Sequence, residues 1–134
     1  MNTKSVRMGL ILIGIFHAAN GLYMFIDPAG WYGAIPGVPA TGPFNPHFVM
    51  DIGLAFLASG AGLILGGTTW RQAGAFALAG AAFPLLHAGL HVMGLLHHGL
   101  PHDTNTLWSE LVGVIGISVL GAALAWLRWQ RSAV

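Results

Sequence analysis

Four unbroken apolar stretches govern what this chain can fold into: about Val6 to Ile26, Phe48 to Gly67, Ala73 to Leu96 and Leu107 to Leu127. Each reaches the roughly 20 residues that an α-helix needs to cross the hydrocarbon core of a bilayer. At 55% hydrophobic and 7% charged residues, the chain has too little polar surface to enclose a soluble core. The expected architecture is an all-α membrane protein, a four-transmembrane-helix bundle forming a single domain over residues 1–134, with a long outer loop at 27–47. Two function classes fall away early. A net charge of +1 offers no basic surface for nucleic acid, and a chain without cysteine has neither disulfides nor thiolate metal sites.

The start, "MNTKSVR" before an apolar run, has the look of a secretory signal. However, "IFHAANG" puts Phe16 or His17 where cleavage needs a small residue, so the first helix is read as retained. Orientation follows from the basic residues. Lys4 and Arg7 precede the first window, Arg71 lies between the second and third, and Arg128 and Arg131 follow the fourth. All fall on one side, which predicts cytoplasmic termini in a bacterial inner membrane. Trp70, Trp126 and Trp129 then mark the inner boundary, and Trp31, Tyr32 and Trp108 the outer one.

With that topology, the ionisable residues inside the windows share one depth. His17, His47, Asp51, His87, His91 and Glu110 all fall in the outer halves, and His97, His98, His102 and Asp103 continue the set into the outer loop. A charged group within a membrane costs at least about 2.5 kcal/mol, so such groups turn inward and pair. The expectation is a single outward-facing cavity in which His17, Asp51, His87, His91 and Glu110 converge. His87 and His91 are four apart and share a helix face, as do His47 and Asp51, while His17 and Asn20 are three apart. At helical spacing His98 returns to the His87/His91 face. Pro84 removes one hydrogen bond a turn before His87 and is expected to kink that helix.

Imidazoles and carboxylates without sulfur suit zinc, iron or copper, and helix bundles build such sites from facing helices. The five converging residues are the candidate ligands, with His47 and Asn20 as supporting hydrogen-bond partners behind them, and His97, His98 and His102 as a metal-capturing lip. A haem held between His17 and His87 is an alternative cofactor. The competing reading is an accessory subunit of a larger membrane complex, or a homo-oligomer, whose histidines only hydrogen-bond their neighbours. A full proton wire is disfavoured because the inner halves lack ionisable residues. No nucleophile with a base and no nucleotide-binding fingerprint is present.

Two further patterns bear on architecture. "HAANGLYM" at 17–24 resembles "HAGLHVMG" at 87–94, and "NPHFVMDIG" at 45–53 resembles "NTLWSELVG" at 105–113. This suggests a parallel two-helix repeat in which His17 with Asp51 mirrors His87 with Glu110. The loop "DPAGWYGAIPGVPATGPFNP" carries five prolines and four glycines. It is expected to form an irregular lid over the cavity, with Asn45 and Pro46 as the cap and first position of the next helix. Ala58, Gly62 and Gly66, at four-residue spacing, are expected to let helices approach closely.

The stretch "WYGAIPGVPATGPFNPHFVMDIGLAFL", residues 31–57, resembles a signature of small four-helix inner-membrane proteins of the DoxX-like group. The resemblance implies the four-helix plan and leaves the chemistry to the residues themselves.

Overall fold

The computed structural model describes residues 2–131. Helix α1 (Thr3–Ile26) is followed by a short α2 (Pro28–Ala34), a 3-10 turn (Val38–Ala40), α3 (Pro46–Gly66) and α4 (Ala73–His98). A last continuous helix comprises α5 (Thr104–Trp108), a π-helical segment (Ser109–Gly116) and α6 (Ile117–Gln130). Four of these helices are long and apolar enough to cross a membrane: Thr3–Ile26, Pro46–Gly66, Ala73–His98 and Thr104–Gln130. They run slightly beyond the apolar windows because polar residues cap them. Asn2 accepts from the Ser5 N–H, Asn45 from Phe48, and Asp103 from Thr106. Pro46 occupies the first turn of α3, where no N–H is needed.

The helices alternate in direction, so both ends of the described chain and the α3–α4 turn lie together. We call this end proximal. The α1–α3 loop and the α4–α5 turn are distal. All five Lys and Arg residues are proximal.

Glycine contacts set how the helices cross. Gly14 of α1 faces Gly60 of α3, where an added β-carbon would lie 2.8 Å from the Gly60 carbonyl oxygen. Gly62 faces Gly80 of α4 at a comparable approach, and Gly66 meets Ala77. In a bilayer, association is driven by close packing more than by hydrophobicity, so these contacts matter more than the surrounding leucines. The proximal half is filled by Val6, Leu10 and Ile13 of α1 with Leu63, Ala77, Ala81, Leu124 and Ala125. The distal half has a smaller cluster of Met24, Val49 and Phe56, and is hollow beside it.

Three features differ from the expectations drawn from sequence. The proline-rich loop is partly regular. Asp27 ends α1, accepts from the Gly30 N–H and starts α2, and Pro28 stands at a position that tolerates proline. Second, the fourth span is no plain α-helix, since residues 109–116 take the wider π turn. Third, Arg128 is only 8% exposed. Its guanidinium donates to the Gly66 and Thr68 carbonyls at 3.1 and 3.2 Å, and Arg7 donates to Gly67 at 2.7 Å. Two arginines thus satisfy carbonyls that the end of α3 leaves open.

Candidate functional site

The distal hollow is a cavity of about 470 Å³ between α1, α3, α4 and the π segment. Each wall is a helical stripe. Helix α1 contributes His17, Asn20 and Met24, α3 contributes Val49, Ile52 and Phe56, and α4 contributes His87 and His91. Phe83, one four-residue step earlier on α4, is not part of this lining but stacks on His87. The π segment supplies Glu110, Gly113 and Val114. The lining is predominantly apolar and aromatic, with a few polar groups, as is usual of pockets that hold small molecules.

Three of those polar groups form a chain. Glu110 Oε2 lies 2.6 Å from His91 Nδ1, and His91 Nε2 lies 3.2 Å from His87 Nε2. Both His91 and Glu110 are about three-quarters buried, at 26% and 22% side-chain exposure. A carboxylate can only accept, so with Glu110 ionised the proton on His91 sits at Nδ1. His91 Nε2 is then an acceptor and His87 Nε2–H its donor. This order leaves the lone pair of His87 on Nδ1. Phe83 stacks on the His87 ring at 5.7 Å and holds it from the proximal side.

His17 is 2% exposed, and its Nδ1 has no hydrogen-bond partner. The ring stacks on Phe56 at 5.5 Å, and Phe56 in turn meets His87 edge-on at 5.5 Å. The imidazoles of His17 and His87 therefore both pack on one phenyl ring, a poor fit to a haem plane held between them. Among the described residues, no group of three His, Asp or Glu side chains has metal-holding geometry.

The structure brings together His17, His87, His91 and Glu110 but leaves Asp51 outside. Asp51 pairs with His47 at 3.6 Å on the outer surface of α3, with side-chain exposures of 59% and 88%. Shared depth does not fix which way a helical residue points. Asp51 is about 200° around α3 from cavity-lining Val49, so it cannot face the same way. The mirrored pair implied by the repeat, His17 with Asp51, is not formed, and His47 supports no group in the cavity. Asn20 has a different role from the one expected, accepting from Trp31 Nε1 at 2.9 Å and tying α2 to α1. His98 shares the azimuth of His91 but sits about 10 Å further along the axis, past the cavity. His97 bonds the Met93 carbonyl at 2.7 Å, and neither His97, His98 nor His102 lines the cavity.

Sequence reasoning placed the loop bearing Trp31 and Tyr32 over the cavity but missed the aromatic ladder of Phe56 and Phe83. The four-residue spacing of Phe83, His87 and His91 was the available signal. No protein family, curated protein or solved structure matches this chain, so the functional reading rests on the cavity itself.

Proposed function

We propose that this chain is a multi-pass protein of the bacterial inner membrane, with both termini cytoplasmic, that binds a small and mainly apolar organic molecule in its distal cavity and exchanges a proton with it. The observation that carries this reading is the chain His87–His91–Glu110 set in the wall of an otherwise apolar pocket. A ligand O–H would give its proton to His87 Nδ1. The Nε2 proton of His87 would pass to His91 Nε2, and the Nδ1 proton of His91 to Glu110, leaving the ligand as its oxyanion beside a neutral carboxylic acid and two neutral imidazoles. The reverse sequence returns the proton. Burial keeps water from short-circuiting the relay.

Native mass spectrometry on protein extracted in mild detergent tests this. A bound apolar compound is expected in wild type and in His97→Ala, and its loss in His87→Ala. Equal occupancy in all three would overturn the assignment.

A second reading is favoured by one detail. The two Nε2 atoms face each other 3.2 Å apart, with Glu110 orienting His91 from behind, the arrangement that commonly supports metal-ligating histidines. Zinc, iron or copper bound there would replace the N–H···N bond and need a further donor, which the present side-chain positions among the described residues do not supply. Metal analysis of purified protein separates the readings. A stoichiometric metal that disappears in His87→Ala and His91→Ala, but not in His97→Ala, would favour the ion.

A further inference from the structure

We propose that the ligand of this cavity is a neutral, hydroxyl-bearing molecule of the bilayer itself, admitted sideways through the seam between α1 and the π-helical segment. The inference rests on the cavity being a ligand site and adds the ligand's class and its route.

The seam is closed proximally and open distally. In the proximal half α1 and α6 touch, since a β-carbon on Gly9 would lie 2.6 Å from Leu124 Cδ1 and one on Gly121 lies 3.4 Å from Ile13 Cγ2. Further out α1 stays against α3, while residues 109–116 pack on α4 and their own chain neighbours. The cavity occupies the resulting gap. Phe16, which lines it, is 44% exposed, and a β-carbon on Gly113 opposite would meet nothing within 4 Å. This gap lies within the membrane-spanning length of both helices, so it faces lipid.

The distal end, by contrast, is roofed. Trp31 is bonded to Asn20, and the Tyr32 hydroxyl donates to the Pro39 and Gly42 carbonyls, which folds the loop over the cavity. The roof reaches the far wall at Gly37, whose φ of +85° lets it abut the Thr106 side chain. A route through water would have to pass this loop. A route from lipid meets no such obstacle.

Charge narrows the class. The ionisable groups on the lining are His17, Tyr32, His87, His91 and Glu110, with no Lys or Arg among them. A carboxylate or phosphate head would find no cation and would meet Glu110. A hydroxyl, however, donates to the lone pair that the relay leaves on His87 Nδ1, and the apolar remainder lies along the seam.

The test uses wild-type protein in phosphatidylcholine nanodiscs with tritiated 4-dodecylphenol as probe. The comparators are p-cresol, which has the head without the chain, and dodecanoate, which has a chain with a charged head. Saturable binding of dodecylphenol is expected, with both comparators at least about tenfold weaker. Gly113→Trp should weaken it by a similar factor, with Gly113→Leu as the milder filling should the larger one unfold.

The route is tested separately. A β-carbon on Gly37 would lie 3.6 Å from that of Thr106, within disulfide reach. In this cysteine-free chain the pair Gly37→Cys and Thr106→Cys would therefore lock the roof under oxidation. Binding should proceed at the same rate in the oxidised and reduced forms. A rate that collapses on oxidation and returns with reductant would overturn lateral access. Cresol binding as tightly as dodecylphenol would overturn the lipid class while leaving the proton-exchanging cavity standing. Failure of folded protein to bind any of the probes, together with no co-purifying compound, would remove both.

Discussion

Arg128 shows how much one side chain can carry in a chain with so few charges. Its guanidinium is buried against the last carbonyls of α3 and donates charge-assisted hydrogen bonds to Gly66 and Thr68 there. Replacement by Ala leaves those carbonyls without that donor, and a loss of about 2 kcal/mol is expected from unfolding titrations in mixed micelles. Replacement by Lys should recover only part of it, because an ammonium cannot reach two carbonyls with a planar fork. At the other end, Asp103 caps α5. The Thr106 N–H and hydroxyl both donate to its carboxylate and hold it below the ordinary carboxylate range. A depressed folded-state value means the cap contributes stability above the unfolded value and loses it as pH falls through the folded one. Protection of the Thr106 amide against hydrogen exchange should therefore fall in acid, below the ordinary carboxylate range. In Asp103→Asn, which caps without titrating, that step should vanish.

Among the elements, the glycine crossings and the π segment divide the work. Gly80 approaches α3 so closely that a β-carbon would sit 2.5 Å from the Leu63 nitrogen, a backbone atom that cannot move aside. Gly89, two and a half turns along the same helix, would meet nothing within 4 Å. Gly80→Val is accordingly expected to cost more than about 2 kcal/mol. Gly89→Ala should be neutral or stabilising by up to about 1 kcal/mol, because the unfolded chain loses freedom. Steric-trap or denaturant unfolding of the two variants checks the contrast, and similar losses in both would show that the crossing is not the constraint. The π segment works differently. Its wider turn interrupts the α register just where Glu110 must reach His91, in keeping with the frequency of such turns at functional sites.

For the whole molecule, the distribution of charge meets the distribution of packing. The proximal half is solid and bears all the Lys and Arg, while the distal half is hollow and bears the cavity histidines and Glu110. The orientation argument rests on all five basic residues, Lys4, Arg7, Arg71, Arg128 and Arg131, of which Arg7 and Arg128 also bond the end of α3. Reporters fused before Met1 and after Val134 are expected to be active only as cytoplasmic fusions, which would place the cavity in the outer leaflet. Neutralising Arg71 and Arg131 together should produce mixed topology, whereas Arg128→Ala should mainly lower stability.

The helices, their limits and the one-sided basic residues could be read from sequence because each depends on local physics. Apolar length is counted along the chain, caps act within four residues, and Asn45 with Pro46 starts α3 by its own chemistry. The same locality made the pairs His87/His91 and His47/Asp51 legible, since four residues return a helix to one face. Which pair faces the cavity was not legible. Depth follows from rise per residue, but azimuth is set where helices cross, at Gly14 against Gly60 and Gly62 against Gly80, and those contacts join residues far apart in the chain. Tertiary packing therefore turned Asp51 outward and Glu110 inward, although both had looked equivalent by depth. It also decided the roof from Trp31 to Thr106 and the burial of Arg128, because each needs a partner on another helix before its geometry exists.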